Sequence, residues 1–361
     1  MKGLILSGGR GTRLRPLTYT SAKQLIPLAN RPILFYAIDA LAAAGIDDIG
    51  IVTGDTGREV EEAVGDGARF GVSITYIPQG APLGLAHAVQ VSRDFLGDSA
   101  FVMYLGDNLV RRGIVPIVEE FKRTCPDALI LLAHVEDPRQ FGVAEFDGGR
   151  LARLVEKPSV TTSDLALVGV YVFNSTVFDA IDAIDYSDRG ELEITDAIQQ
   201  IIDAGRIVES HIILESHQAR VATWKDTGRL EDLLEANRLV LDEIEPLVEI
   251  SIGPDVRVEG KVVVSAGARL HDCVVRGPAI IGAGTCIESA FIGPYTSISD
   301  CCTVRHAEVE NSILLQGSVV EDIVGRIDSS LIGKECLVRR TSKRPRAHKL
   351  LLGDHSRLEM S

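Results

Sequence analysis

The residues whose types and spacing could do chemistry begin close to the amino terminus. The stretch "LILSGGRGTRLRP" (residues 4–16) has a short apolar run, three glycines within four residues, and then arginines. Glycine lets backbone N–H groups approach an anion closely, and the arginine guanidinium presents a fixed fork of donors that suits phosphate oxygens. The stretch therefore predicts a phosphate-binding loop, and the alternative is a glycine-rich turn with solvated arginines.

Two familiar phosphate loops do not match this stretch. Gly9 and Gly11 fit the first two glycines of the dinucleotide pattern G-x-G-x-x-G, but Leu14 stands where the third belongs. The ATPase pattern G-x-x-x-x-G-K-[ST] needs a lysine directly after its last glycine, and none follows here. The loop thus indicates neither hydride transfer nor ATP hydrolysis of the usual kind.

Composition narrows the class of protein further. The chain has 361 residues with 37 basic and 51 acidic side chains, a net charge of −14, which argues against nucleic acid or an anionic membrane as partner. Its first residues do not form a signal peptide, and no apolar run reaches the ~18 residues of a membrane span. We therefore expect a globular protein of the cytoplasm.

Strand and helix signals alternate over residues 1 to about 240, and they predict a Rossmann-like α/β domain with a mainly parallel sheet and helices on both faces. Residues 3–6, 48–54, 73–79 and 100–108 have strand character, and residues 33–45, 58–67 and 85–97 have helical character. Ligands in such folds bind at the carboxyl ends of strands. The sequences "SGGRGTR" and "GDN" both follow strands, so we expect them to line one cleft.

A six-residue repeat replaces this alternation after Pro246. Aliphatic residues recur at every sixth position, at Ile252, Val258, Val264 and Leu270, then at Ile281 and Ile287, at Ile292, Ile298 and Val304, and at Ile332 and Val338. Such a repeat predicts a small left-handed parallel β-helix with these residues pointing inward. We expect domains at residues 1–244 and 245–340 and a tail at 341–361. The locally basic segment 339–349, which overlaps the start of this tail, is expected to be a solvated arm on the acidic body.

Further motifs follow in order along the first 240 residues. They are "GGRGTRLRPLTYTSAKQLIP", "PQGAPLGLAHA", "LGDN", "QFGVAEF", "VEKP", "GVYVF", "RGELEITD" and "WKDTG". With them the chain resembles the sugar-1-phosphate nucleotidylyltransferases, and its β-helix resembles that of long members often found in deoxysugar pathways. The resemblance implies that a sugar-phosphate oxygen attacks the α-phosphorus of a nucleoside triphosphate and displaces pyrophosphate. It implies dTTP and glucose-1-phosphate as substrates, Mg²⁺ as cofactor, and a homo-oligomer.

The resemblance also implies roles for individual residues. Arg13, Lys23 and Asp107 would be catalytic, the two cations facing the phosphates, and Asp107 and Asp226 would hold Mg²⁺, which prefers carboxylates, phosphates and water. The nucleotide would be bound by Leu6, Gly8, Gly9, Gly11, Thr12, Arg13, Gln79, Pro82 and Gly84. The amide of Gln79 would pair with the edge of the base.

The sugar phosphate would be bound by Gly142, Glu156, Lys157, Leu167, Tyr171 and Arg189. Glu156 would accept hydrogen bonds from sugar hydroxyls, and Lys157 and Arg189 would hold the phosphate. Arg189 has a second interpretation, as the flank of a helix in "GELEITDAIQQII". One residue departs from the family pattern, since Phe141 stands where the short enzymes usually carry tyrosine.

Three alternatives stay open. The base could be uracil, because thymine and uracil differ by one methyl group, worth only about 1–3 kcal/mol in an apolar pocket. The sugar could be an amino sugar, as in two-domain relatives whose β-helix carries an acetyltransferase, for which His271 or His306 would be the catalytic histidine. A non-catalytic assembly subunit is the third alternative, although such a subunit would be expected to lose Arg13, Lys23, Asp107 or Asp226.

Overall fold

A computed structural model describes residues 1–9, 11–111, 113–213, 224–340, 350 and 352–359. The chain divides into two compact units. The first unit comprises residues 1–11, 21–25 and 33–226, and the second comprises residues 12–20, 26–32 and 227–361. The second unit thus gathers two short segments from near the amino terminus together with the carboxyl-terminal third of the chain.

Thirteen strands precede residue 227 in the described chain. They are β1 (Lys2–Ser7), β2 (Pro27–Leu28), β3 (Arg31–Pro32), β4 (Asp48–Thr53), β5 (Ser73–Pro78), β6 (Phe101–Leu105), β7 (Asn108–Val110), β8 (Ala128–His134), β9 (Gly142–Asp147), β10 (Arg150–Glu156), β11 (Leu165–Phe173), β12 (Val208–Ile212) and β13 (Trp224–Asp226). The helices of the first unit are α1 (Ile33–Ala43), α2 (Gly57–Val64), α3 (Leu85–Val91), α4 (Arg93–Leu96), α5 (Val115–Thr124), α6 (Val177–Asp182) and α7 (Ile194–Asp203). Short 3-10 turns cover Thr12–Leu14, Leu17–Tyr19, Lys23–Leu25, Ala68–Phe70 and Pro138–Gln140.

A nine-stranded sheet forms the centre of the first unit. Strands β5, β4, β1 and β6 run parallel in that order, β11 continues the sheet antiparallel to β6, and β8, β9, β10 and β12 complete it. Alternate residues of a strand face opposite sides, so Leu4 and Leu6 pack in one apolar cluster and Ile5 in another. Helices cover both faces, which confirms the predicted α/β architecture.

Local predictions held except at two helices. The helix expected over residues 85–97 is interrupted at Ser92, whose hydroxyl donates to the Ala88 carbonyl at 2.8 Å, a bond that competes with regular helix geometry. The stretch "GELEITDAIQQII" becomes helical only from Ile194, because Glu193 is the extended N-cap residue. Residues 190–193, directly before α7, therefore form a loop.

Parallel strands make up most of the second unit after α8 (Leu230–Leu241). They are β14 (Leu247–Val248), β15 (Val256–Glu259), β16 (Val262–Val264), β17 (Arg269–Arg276), β18 (Ala279–Ile281), β19 (Cys286–Ile292), β20 (Thr296–Ile298), β21 (Thr303–Arg305), β22 (Glu308–Glu310), β23 (Ile313–Leu314), β24 (Val319–Glu321), β25 (Arg326–Asp328), β26 (Leu331–Ile332) and β27 (Leu337–Arg339). Parallel partners lie about 17 residues apart along the chain, for example Val263 with Ile280 and Val304 with Val320. This pairing gives the coils of the predicted β-helix.

The aliphatic residues of the six-residue repeat fill the interior of these coils. Val264, Ile281, Ile287, Ile292, Ile298 and Val304 are fully buried in one cluster, against which Val258, Leu270, Ile332 and Val338 pack. Ile252 is the exception to the prediction: it is 40% exposed because it precedes the first long coil strand, β15. The five-residue step from Ile287 to Ile292 is accommodated at Ser289, whose positive φ (46°) interrupts the alternation of β19, so that both isoleucines are buried in the same interior.

A hairpin near the amino terminus also belongs to this unit. Strands β2 and β3 are joined by Ala29 and Asn30, both at positive φ (46° and 62°), as a tight two-residue hairpin turn requires. Buried Asn237 on α8 accepts hydrogen bonds from the Ala29 backbone N–H and the Ser297 hydroxyl, both at 2.8 Å. Asn237 therefore ties the hairpin, α8 and the β-helix together.

The domain boundaries at residues 244 and 340 stay a prediction, and most of the basic tail segment lies outside the described residues. Every helix that the structure describes is too short or too polar to cross a membrane.

The substitution Asn237→Leu should destabilise the protein by about 2–4 kcal/mol. It leaves the Ala29 N–H, the Ser297 hydroxyl and the Tyr295 carbonyl, which accepts from the Asn237 amide at 3.2 Å, without a partner in a dry environment. Urea unfolding of the variant measures the loss. Glu231→Gln, at an exposed position of the same helix, is the control and should stay within ~0.5 kcal/mol of the parent protein; equal stabilities for the two variants would contradict the role of Asn237.

Candidate functional site

Four parallel strands of the first unit end at one edge of the sheet. Ser7 is in register with Thr53, Thr53 with Pro78, and Leu6 with Leu105, so the residues that follow these strands lie side by side. Those residues include Gly8, Gly54, Gln79 and Asp107. The segments predicted to line one cleft are therefore brought to the same carboxyl edge of the sheet, where ligands bind in this type of fold.

Glycine is required at this edge by close backbone approach. A Cβ atom on Gly54 would lie 2.8 Å from the Gly8 carbonyl oxygen, and one on Gly8 would lie 3.1 Å from the Gln79 side-chain oxygen. Gly8, Gly54 and Gln79 line a narrow cleft together with Asp55 and residues 80–82, which include the predicted Pro82. Leu6 is buried and its carbonyl accepts the Gly106 N–H at 3.0 Å, so its part in the site is to join β1 to the start of the "GDN" turn.

The strongest electrostatic feature of the cleft edge is an ion pair. The Lys23 ammonium donates to the Asp107 carboxylate, although 84 residues separate them, and both side chains are largely buried. Burial opposes the ionisation of Asp107, but the Lys23 charge and hydrogen bonds from Lys23 and Asn108 outweigh it and hold the pKa of this carboxyl below its usual range. The predicted catalytic lysine and carboxylate are thus in direct contact and both charged.

The second predicted carboxylate is brought to the same place by a two-stranded ribbon. Strand β13 pairs antiparallel with β7, so that Asp226 lies opposite Asn108 and next to Asp107. The Asn108 side chain is buried: its oxygen accepts from the Trp224 indole N–H at 2.5 Å and its amide donates to Asp107 at 3.0 Å. Asn108 therefore links the two carboxylate-bearing segments, a role that the sequence analysis did not assign to it.

This donor set suits a hard divalent cation. Two carboxylates, one directly before Asn108 and one opposite it, match the preference of Mg²⁺ for one or two protein carboxylates plus substrate oxygens. Among the described residues no group of three or more histidine, cysteine or carboxylate side chains is arranged to hold a metal by itself. The remaining ligands would therefore have to come from a substrate and from water.

Phe141 takes part in the same structure through its ring. It packs edge-on against Trp224 at 5.4 Å between ring centroids, within an apolar cluster. Phe141 thus packs against Trp224, the residue whose indole N–H orients Asn108.

The predicted sugar-phosphate residues gather around Glu156. Glu156 is in register with Gly142, and its carboxylate accepts from Lys157 at 3.2 Å, from Arg189 at 3.3 Å and from the Thr195 hydroxyl at 3.3 Å. A Cβ atom on Gly142 would lie 2.6 Å from the buried Leu167 side chain and 2.7 Å from Thr195, so no larger residue fits between them. Thr195 is a member of this group that sequence reasoning missed, although it lies in the quoted motif "RGELEITD".

Arg189 forms ion pairs with three carboxylates in this structure. It pairs with buried Glu193 at 2.7 Å and also with Glu191 and Glu156, which realises the helix-flank interpretation. Burial opposes its charge, but these carboxylates raise the pKa of Arg189 above its usual value. Tyr171 is 4% exposed, and burial together with the Glu156 charge raises its pKa, so its hydroxyl stays protonated.

The residues predicted to bind the nucleotide are found in both units. Gly8, Gly9, Gly11, Gln79 and Gly84 belong to the first unit. Thr12 and Arg13 belong to the second, where both side chains are exposed. Arg10 lies outside the described residues.

The two histidines considered for a second activity lie on the β-helix, each in its own ion pair. His271 contacts Asp255 at 2.6 Å and His306 contacts Asp322 at 2.8 Å, and both imidazoles are more than half exposed. His306 lines a groove of about 450 Å³ together with Asp272, Ser289 and Phe291. Asp255, the partner of His271, lines the same groove, so the two ion pairs lie near each other on the β-helix.

Comparisons with known proteins show the family and the fold. The family model described as nucleotidyl transferase matches residues 2–243. The glucose-1-phosphate thymidylyltransferase of Streptomyces griseus is 51% identical over 362 positions, which cover all of both chains. The low-salt glycan biosynthesis nucleotidyltransferase Agl11 of Haloferax volcanii is 44% identical over all of both chains. A Bacillus anthracis protein assigned as a glucose-1-phosphate thymidylyltransferase, solved in complex with a sucrose, superposes with a TM-score of 0.61 at 36% identity and covers 70% of this chain and 97% of its own.

The substitution Gly84→Ala should destabilise the protein by more than about 2 kcal/mol. Gly84 has φ of +107°, and a Cβ atom there would lie 2.3 Å from the Leu192 carbonyl oxygen, a backbone atom that cannot move aside. Urea unfolding measures the loss. Gly80→Ala is the matched control in the same loop, because its Cβ would meet nothing within 4 Å; a control that unfolds as easily as Gly84→Ala would refute the steric argument.

Proposed function

The chain belongs to the nucleotidyl transferase family, and we propose that it transfers a thymidylyl group from dTTP to glucose-1-phosphate, forming dTDP-glucose and pyrophosphate. The observation that carries the proposal is the ion pair of Lys23 with Asp107 at the carboxyl edge of the sheet, with Asp226 held opposite Asn108. The full-length relationship at 51% identity to a glucose-1-phosphate thymidylyltransferase supports the choice of substrates.

The main barrier to this reaction is electrostatic. A phosphate oxygen of the sugar phosphate must approach the α-phosphorus of a triphosphate, so two anions are brought together and pyrophosphate leaves in line. Positioning and charge stabilisation supply most of the rate of such transfers, since little covalent chemistry is required of the protein. Lys23 and Arg13 are the cations that we assign to the phosphates, and the N–H groups of Gly8, Gly9 and Gly11 are the neutral donors.

A divalent cation is typical of this kind of enzyme, and we assign Mg²⁺ to Asp107 and Asp226. When bound, the ion would neutralise phosphate charge and polarise the oxygens around the α-phosphorus. Asn108 orients Asp107 for this task, and Trp224 orients Asn108. Glu156 and Thr195 offer polar atoms to sugar hydroxyls, and Lys157 is the cation that we assign to the sugar phosphate.

Arg189 must exchange a carboxylate for phosphate if it is to bind the substrate as the resemblance implies. Glu156, Glu191 and Glu193 share its guanidinium in this structure. Glu193 is the nearest and most buried of these partners, so we propose that Arg189 keeps its ion pair with Glu193 and releases Glu156 to bind the sugar.

Self-association of the chain and its location in the cytoplasm stay proposals. Light scattering on the full-length protein tests self-association.

The direct test is pyrophosphate release with Mg²⁺ from dTTP, UTP, ATP, CTP or GTP, each with glucose-1-phosphate or N-acetylglucosamine-1-phosphate. Release with dTTP and glucose-1-phosphate is the expected result, and EDTA should abolish it until Mg²⁺ is restored. Release only with UTP would show that the protein is a uridylyltransferase. Release only with N-acetylglucosamine-1-phosphate would show that its sugar substrate is an amino sugar. No release with any pair would overturn the substrate assignment and leave either another sugar phosphate or a non-catalytic subunit.

The substitution Asp226→Asn should lower kcat at least about 100-fold, because the amide removes one of the two negative charges available to the cation. Steady-state kinetics with dTTP and glucose-1-phosphate measure the loss, and unchanged thermal unfolding shows that the variant is folded. Asp98→Asn, at an exposed position away from the cleft edge, is the control. Turnover of Asp226→Asn within a few-fold of the control would remove Asp226 from the metal site.

A further inference from the structure

A histidine that the proposed mechanism does not use contacts the residue assigned to the base. The side-chain nitrogen Nε2 of Gln79 lies 3.0 Å from Nδ1 of His87, on α3, and 3.2 Å from the carbonyl oxygen of Gly84. Both contacts fall within the first unit, at the end of β5 that opens into the cleft. They decide which atom of the Gln79 amide is left for a ligand.

The Gly84 carbonyl determines the orientation of the amide. A carbonyl oxygen can only accept, so the group of Gln79 that faces it must be the NH₂. This carbonyl is itself held in place, since it accepts the Ala88 N–H at 3.2 Å and its loop pairs with Leu192, which donates to Leu83 at 2.7 Å and accepts from Ala86 at 3.1 Å. The acceptor that orients the Gln79 amide is therefore fixed in position.

The contact with His87 then determines the tautomer of the imidazole. The NH₂ group has two protons; one is donated to Gly84, and the other points at Nδ1 of His87. Nδ1 must therefore carry a lone pair, with the ring proton on Nε2. Burial lowers the pKa of His87, which favours the neutral ring that this arrangement requires.

The free end of the amide is then its oxygen. Oε1 of Gln79 faces Gly8, where a Cβ atom would lie only 3.1 Å from it, and the two residues line the same cleft. We infer that His87 is a positioning residue for base recognition, which together with the Gly84 carbonyl takes both amide protons of Gln79 and leaves Oε1 to accept the N3–H of a thymine or uracil ring. This inference rests on the proposed function for the identity of the ligand.

The arrangement selects one class of pyrimidine. Thymine and uracil carry a proton on N3, whereas N3 of cytosine is an acceptor and would face Oε1 with two lone pairs opposed. A site built to hydrogen-bond one partner rejects an analogue that cannot make the bond far more strongly than an apolar pocket rejects a methyl group. His87 thus contributes to selectivity against cytosine and not to the choice between thymine and uracil.

The test compares dUTP and dCTP, which share sugar and ring size. In the parent protein kcat/KM with saturating glucose-1-phosphate should favour dUTP at least about 100-fold. In His87→Leu the amide can rotate, so KM for dTTP should rise about five- to tenfold and the dUTP preference should fall about tenfold, with kcat and KM for glucose-1-phosphate within about twofold. His87→Asn, whose oxygen can occupy the place of Nδ1, should restore most of the selectivity, and His134→Leu, at an exposed position, should match the parent.

Two results would overturn the inference: His87→Leu with the parent dUTP preference, or His87→Asn no more selective than His87→Leu, since packing rather than an acceptor would then be what matters. Calorimetric binding of dUTP and dCTP gives the same comparison without turnover. A parent protein that binds dUTP selectively and releases no pyrophosphate would therefore contradict the proposed function and still test the role of His87.

Discussion

The ion pair between Lys23 and Asp107 is the interaction on which the candidate site depends. A charge removed from water is costly unless it is paired and hydrogen-bonded, and each of these side chains is largely buried. Each therefore stabilises the other, and the pair holds the turn Lys23–Leu25 against the end of β6. The second oxygen of Asp107 is held by Asn108, and Asn108 by Trp224. The buried ion pair is thus connected, through the hydrogen bonds of Asn108 and Trp224, to the strand that carries Asp226.

The region around Glu156 has more carboxylates than cations. Four carboxylates, on Glu156, Glu191, Glu193 and Asp196, surround the single guanidinium of Arg189. Burial, and then the charges of Glu193 and Glu156, raise the pKa of Asp196, which shows how closely the negative charges lie. Such an environment favours groups that donate hydrogen bonds, as sugar hydroxyls do, and it disfavours an additional anion unless a cation such as Lys157 compensates for it. The same carboxylates would therefore orient a sugar and limit where its phosphate can lie.

The second unit is held together by buried polar groups as well as by its apolar interior. Asn237 is fully buried, and Asn30 donates to the Ile298 carbonyl at 2.7 Å, so the hairpin is attached to the coils by directed bonds. Leu17 packs with Leu234, Ile313 and Leu315 in an apolar cluster of the same unit. Residues 12–20, which directly follow the glycines of the phosphate loop, are consequently stabilised by the β-helix coils and α8. The six-residue repeat therefore contributes to the structure of a segment 240 residues before it.

The sequence alone determined the two architectures, because hydrophobic periods of two, about 3.6 and six are local properties that tertiary contacts rarely reverse. It also identified the family, through motifs that run in order along the chain, and from them predicted a phosphate loop and site residues. The sequence did not show that Ser92 divides a helix, that Ile252 faces solvent or that Glu193 engages Arg189, since each depends on a neighbour's hydrogen bond or on where a coil begins. Only the tertiary structure decided that Asn108 joins the carboxylate segments and that Gln79 presents its oxygen, because the partners that orient a side-chain amide come from elsewhere in the fold.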